Sequence, residues 1–131
     1  MPHLDRREIA AIFLGGMAGS LLRVWLARTF AAGAGDWPWA IFAINVSGSF
    51  ALACIATHVQ RRPRSSYLPP LLGVGFCGAY TTFSTMQIEI LQMIDRDRLV
   101  LAGGYALTSV LAGYVAISLA TRLLRGGGAL A

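Results

Sequence analysis

Four long apolar stretches, at residues 9–30, 39–59, 68–94 and 99–124, occupy nearly all of this 131-residue chain. Each reaches the roughly 20 residues that a helix rising about 1.5 Å per residue needs to cross a bilayer. Too little remains outside them for a soluble domain. Residues 1–131 therefore read as one transmembrane domain of four helices, an all-α membrane protein. Charged residues make up 13% of the chain, roughly half the share of an ordinary soluble domain. The first stretch lacks a small-residue cleavage site followed by a mature domain, so it is expected to be a retained span. The links are short, which makes neighbouring helices antiparallel.

All eleven basic residues are arginine. Arg6, Arg7, Arg61, Arg62, Arg64, Arg122 and Arg125 sit at one set of span ends. Arg28, Arg96 and Arg98 sit at the other, diluted by Asp36, Asp95 and Asp97. Cations at span ends meet lipid headgroups, and the bias favours cytoplasmic termini. Without a soluble surface to carry it, nucleic-acid binding is excluded as a reading of the basic charge. Trp37 and Trp39 suit the membrane interface, as do His3 and His58 near span ends. Cys54 and Cys77 lie in apolar stretches with no metal-ligand spacing and read as buried thiols. No paired-carboxylate site, HExxH, nucleophile elbow or phosphate loop is present, which argues against an enzyme.

Polar residues inside spans are costly, and each is a candidate site. The densest group is Gly75-Phe76-Cys77-Gly78-Ala79-Tyr80-Thr81-Thr82-Phe83-Ser84-Thr85-Met86. Glycines weaken a helix and threonine hydroxyls serve freed backbone groups, so this run predicts a third helix broken in mid-membrane. Such a break is tolerated where protein buries it or where it lines a watery path. Asn45 is a pore-lining donor or an interhelical hydrogen bond. Tyr105 and Ser109 share one face of the fourth span, and Phe83 and Met86 lie one turn apart. Arg23 either snorkels to the interface or forms a fixed cation beside a vestibule. Glu89, the one acid well inside a span, is a proton or cation site, or a hydrogen-bonded group at a watery mouth. Gly15 and Gly19, with Gly16 and Ser20 in the same spacing, allow close helix approach and support association of copies. Amide, hydroxyl and phenyl-edge donors together suit a small, strongly hydrated anion, and their neutrality permits release.

Three segments carry a family resemblance. They are Gly15-Gly16-Met17-Ala18-Gly19-Ser20-Leu21-Leu22-Arg23, Asn45-Val46-Ser47-Gly48-Ser49-Phe50, and residues 75–85, which match the signature GFCGxxTTFST. At these positions the chain resembles the small fluoride channels known as Fluc or CrcB proteins. The resemblance implies a multi-pass protein of the bacterial inner membrane, an antiparallel, dual-topology homodimer with two fluoride pores. It implies passive export of cytoplasmic fluoride. Asn45, Thr82, Phe83, Ser84, Met86, Tyr105 and Ser109 would line the pore. Arg23 and Glu89 would shape the vestibule electrostatically, and backbone carbonyls of Gly78 and Thr81 would bind a structural sodium ion at the dimer axis. Met86 stands where the family has a second phenylalanine, Ala40-Ile41 where it has Gly-Thr, and Gly113 where it continues the hydroxyl track. The alternative is a small proton-coupled multidrug exporter using Glu89. Such exporters place their acid in the first span, which here has only Glu8 at its edge.

Overall fold

The computed structural model describes residues 5–61 and 67–126. His3, Arg62 and Arg64 lie outside them. Among the described residues the chain is helical, with no strand. Helix α1, Arg6–Thr29, begins where the Asp5 carboxylate accepts the Arg7 backbone N–H at 3.0 Å, a cap that serves one of the helix's unpaired first-turn donors. Helix α2, Trp39–Arg61, starts directly after Pro38. Helix α5, Leu99–Gly126, is the last element among the described residues. These three are long and apolar enough to cross a membrane, and they begin and end within a few residues of the predicted spans.

The third apolar stretch is divided. Element α3 is a π-helical segment, Pro69–Cys77, running straight into one α-turn, Gly78–Tyr80. Pro69 and Pro70 sit in its first turn, where a missing N–H costs least. Thr81 (φ −77°, ψ 154°) and Thr82 (φ −149°, ψ 116°) are extended. Helix α4, Phe83–Ile94, then begins under a side-chain cap from Thr82.

Helix α1 packs on α3, and α2 packs on α5 with α4 against the same partner. The α1–α3 contact is a backbone approach. A Cβ at Gly15 would overlap the carbonyl of Leu71, and one at Gly19 the carbonyl of Phe76. The GxxxG pair is thus used within the chain, while Gly16 and Ser20 border a separate groove beside Met17 and Leu21. A core of Ile41, Ile44, Met86, Met93, Ala102 and Tyr105 joins α2, α4 and α5.

At one end of the bundle, the Tyr67 hydroxyl donates to Asp5 at 2.9 Å. The Arg61 guanidinium there donates to the carbonyls of Leu124 and Arg125, capping α5. At the other end, Gly35 takes φ +84°, a conformation that suits glycine. Arg98 donates to the Gly35 carbonyl at 3.2 Å and to Asp36 Oδ1 at 2.7 Å, tying the α1–α2 loop to the start of α5. In the three long helices only 17–22% of the most apolar window is buried. Phe13, Leu21, Val110 and Tyr114 are each about two-thirds exposed (66%, 69%, 67% and 70%). That much bare apolar surface suits lipid or a partner copy.

Candidate functional site

The interruption between α3 and α4 is organised by Asn45, which α2 brings alongside it. The Thr82 backbone N–H donates to Asn45 Oδ1 at 2.8 Å, and Asn45 Nδ2 donates to the Thr82 carbonyl at 3.0 Å. The amide thus supplies the acceptor that the Thr82 N–H has left behind in the helix, and adds a donor to the Thr82 carbonyl. Nδ2 carries two hydrogens, so one N–H remains. Thr82 is 6% exposed. Its hydroxyl accepts the Thr85 N–H at 3.2 Å, donates to Thr85 Oγ1 at 3.0 Å, and lies 3.3 Å from Ser84 Oγ.

These bonds redirect two donors. In an unbroken α-helix the N–H of Thr82 would serve the Gly78 carbonyl, and that of Thr85 the Thr81 carbonyl. Here they serve Asn45 and the Thr82 hydroxyl. Both carbonyls therefore lose their α-helical donor, and hard carbonyl oxygens are the donor type that suits a sodium ion.

One cavity beside the interruption is bordered by Asn45, Thr82, Phe83, Met86 and Ser109, with Gly113 at its edge. The Ser109 Oγ is buried and has no hydrogen-bond partner. Phe83 is 69% exposed, with its ring at the cavity, whereas Met86 is 9% exposed and packs in the core. No carboxylate borders this space.

The other expected site residues lie apart from it. Tyr105 is fully buried, and its hydroxyl donates to Glu89 Oε2 at 2.9 Å. Tyr105 and Ser109 share α5, but Tyr105 is occupied with Glu89 and does not border the Ser109 cavity. Glu89 borders a second cavity, with Thr85, Gln92, Asp36 and the α1–α2 loop. Ser84 is exposed beside Thr82. Arg23 is half-buried on α1, and its Nε is buried without a partner. Cys77 is buried and Cys54 half-buried, both as free thiols. His58 is exposed in the last turn of α2.

Two residues carry more than the sequence disclosed. Thr85 completes the cap of α4, a role its spacing three residues after Thr82 signals. Trp37 packs against Tyr105 with ring centroids 5.2 Å apart.

The family described as CrcB-like protein, Camphor Resistance (CrcB), matches residues 10–121. This chain belongs to the CrcB-like family. It is 48% identical over 126 residues to the "Fluoride-specific ion channel FluC 1" of Mycolicibacterium paratuberculosis, covering 95% of this chain and 96% of the relative. A protein of the same name from Mycobacterium bovis is 44% identical over 126 residues, with the same coverage of both chains. "Fluoride-specific ion channel FluC" of Novosphingobium aromaticivorans is 37% identical over 120 residues, covering 89% of this chain and 95% of the relative. The CrcB-like chain is accordingly a multi-pass membrane protein and not an enzyme.

Proposed function

We propose that this CrcB-like chain is a fluoride-selective ion channel through which cytoplasmic fluoride leaves passively down its electrochemical gradient. The observation that carries the proposal is the cavity at the interruption, where Asn45, Thr82, Phe83 and Ser109 meet and no carboxylate borders the space. Fluoride gives up strong hydration on entering such a space and needs compact donors in exchange. The unpaired Ser109 hydroxyl and the remaining Asn45 N–H are of that kind. A phenyl edge at Phe83 adds partial positive charge. None of the three is a formal cation, so the ion is not held too tightly to leave. The names of the relatives support the same ion.

In this proposal α3 and α4 together form the third of four spans, broken in mid-membrane at Thr81–Thr82. Two copies pair antiparallel, giving two pores in the bacterial inner membrane. The charge bias alone favours one orientation, with the termini in the cytoplasm, so the antiparallel pair requires that bias to be too weak to fix insertion. Among the described residues Arg6, Arg7, Arg61, Arg122 and Arg125 lie at one end of the bundle, whereas Arg28, Arg96 and Arg98 at the other are matched by Asp36, Asp95 and Asp97. Inverting the second copy places its basic end on the face opposite the cytoplasm, against that bias. The carbonyls of Gly78 and Thr81 would hold a structural sodium ion on the dimer axis, where it would fix the two interruptions against each other. Arg23 and Glu89 would shape the vestibules.

The test is efflux from liposomes loaded with potassium fluoride, started with valinomycin and followed by a fluoride electrode, with potassium chloride vesicles as control. Fluoride release without chloride release is expected. Retained fluoride from a well-folded dimer overturns the proposal and turns attention to Glu89 in a proton-coupled transport assay.

A further inference from the structure

Helix α2 brings a second polar side chain to the cavity at the interruption. Ser49 lies one turn after Asn45 on the same helical face, and it borders that cavity together with Asn45 and Ser109. A serine or threonine inside a helix commonly turns its hydroxyl back onto a carbonyl of the preceding turn. Ser47, Thr81 and Thr121 do so, onto the carbonyls of Ile44, Cys77 and Ile117. Ser49 does not, and its half-buried hydroxyl has no partner among the described residues. A polar group left unserved inside a span marks a place where something other than the chain serves it.

The opposite wall shows why the hydroxyl faces open space. Gly113 follows Ser109 by one turn of α5, and a Cβ built there would lie 3.9 Å from Ser49 Oγ, an ordinary contact distance. The bare Cα of Gly113 thus leaves room beside Ser49. Helices α2 and α5 run the same way. Trp37, just before α2, packs on Tyr105, and Arg61 at the end of α2 bonds the carbonyls of Leu124 and Arg125. Stepping from Asn45 to Ser49 and from Ser109 to Gly113 therefore advances both walls toward the Arg61 end. At that step α5 offers no hydroxyl and α2 offers one.

The donor set gives the sign of the occupant. Asn45 Oδ1 accepts the Thr82 N–H, so the group the amide has left to give is an N–H. The Ser109 hydroxyl is unpartnered and can turn its hydrogen inward, as can that of Ser49. No carboxylate borders the space. Neutral donors converging from two helices suit a small anion that must also leave.

We propose that Ser49 is a further fluoride-binding residue, which takes the ion one turn beyond Asn45 and Ser109 toward the Arg61 end, from the α2 wall because Gly113 leaves the α5 wall bare. This rests on the channel reading above and lengthens its donor path.

The experiment is fluoride efflux from potassium fluoride liposomes, started with valinomycin, through Ser49→Ala and through two double variants that add Gly113→Ser or Gly113→Ala to it. Size-exclusion chromatography first establishes that each is a well-folded dimer. Ser49→Ala removes only the hydroxyl and is expected to slow efflux about fivefold or more, the scale of one neutral hydrogen bond. Gly113→Ser returns a hydroxyl from the α5 wall and is expected to restore most of the rate. Gly113→Ala adds the same Cβ without a hydroxyl and is expected to restore none. Wild-type efflux through Ser49→Ala overturns the inference and leaves Ser49 holding water alone. Equal efflux through the two double variants overturns it as well, since Ser49 then acts by packing. If Ser49→Ala does not fold, Ser49→Thr and Ser49→Val, alike in shape and different in the hydroxyl, decide: faster efflux through Ser49→Thr supports the inference and equal efflux overturns it. The wild-type protein in the same vesicles separates the two claims. Its release of fluoride at the rate of Ser49→Ala removes only Ser49, whereas absent release removes the channel reading itself.

Discussion

Asn45 and Thr82, 37 residues apart, exchange two hydrogen bonds of 2.8 and 3.0 Å through which a side chain stands in for a helix. The same amide that faces the candidate pore thus holds the interruption open. Replacing Asn45 with alanine leaves the nearly buried Thr82 N–H without its acceptor, which costs about 1–3 kcal/mol. Asn45→Ala is therefore expected to lower unfolding stability in detergent and to abolish fluoride efflux. Asn45→Asp keeps an acceptor for the Thr82 N–H but loses the donor and adds negative charge. Its expected signature is lost efflux with a smaller loss of stability. Undiminished efflux in Asn45→Asp would reduce Asn45 to a packing role.

Phe83 is 69% exposed and contributes little to the chain's own core. Phe83→Ile is expected to leave the dimer intact by size-exclusion chromatography while cutting fluoride efflux at least tenfold, because the branched alkyl group lacks a ring edge. Normal efflux would remove Phe83 from the pathway. The neighbouring Met86, 9% exposed and packed with Tyr105 and Ile44, would instead report through stability as well as efflux.

The difference between those two residues shows what the sequence could disclose. Phe83 and Met86 read as an equivalent pair one turn apart, yet the turn of α4 sends one to the cavity mouth and the other into the core. The three long apolar helices were legible because a hydrophobic run of sufficient length is a local property. The glycine and threonine run contains the two extended residues, Thr81 and Thr82, although it did not reveal the π-winding of Pro69–Cys77. Partnerships across the fold were not legible. Asn45 was readable as a polar residue in a span, but its commitment to Thr82 depends on how α2 lies against the interruption. Tyr105 and Ser109 share a helical face, and periodicity alone cannot tell that a carboxylate 16 residues away occupies one of them. Gly15 and Gly19 announced close packing without naming the helix they meet.

The Tyr105–Glu89 bond separates the channel from the exporter. Glu89→Gln keeps a polar group within reach of the Tyr105 hydroxyl and removes the carboxylate. A proton-coupled exporter would lose its coupling entirely in this variant. The channel is expected to retain chloride exclusion and passive fluoride release with an altered rate. Tyr105→Phe leaves the carboxylate without its donor and is expected to slow release more than Glu89→Gln does. Efflux measured at matched internal and external pH compares the two directly.

The entry to α1 carries a pH dependence of its own. The Arg7 backbone N–H, then the Tyr67 hydroxyl, hold the Asp5 carboxyl below its usual value of 3.8. A carboxyl lowered in the folded state contributes stability above its unfolded pKa and loses it as pH falls through the folded one. The first turn of α1 is therefore expected to fray only under strong acid, seen as faster hydrogen exchange at Arg7. Asp5→Asn, which can still accept that N–H, should remove the dependence while keeping the cap.

The α1–α3 contact predicts opposite outcomes for the same substitution at two glycines. At Gly19 a methyl group would run into the Phe76 carbonyl, with the Phe76 carbonyl carbon and the Tyr80 nitrogen each 3.1 Å away. Backbone cannot swing aside as a flexible side chain would, so α1 must move off α3. Overpacking of this kind costs about 1–3 kcal/mol. At Gly103, in the first half of α5, nothing lies within 4 Å of the added methyl. There the gain in helix propensity is expected to dominate, with up to about 1 kcal/mol of added stability. Unfolding of Gly19→Ala and Gly103→Ala in detergent should therefore shift in opposite directions. The displacement of α1 also carries Arg23, one turn beyond Gly19, so Gly19→Ala is expected to slow fluoride efflux while Gly103→Ala leaves it unchanged. Equal stability of the two variants would show that α1 and α3 are held apart in the membrane and that the glycine pair serves contacts between copies instead.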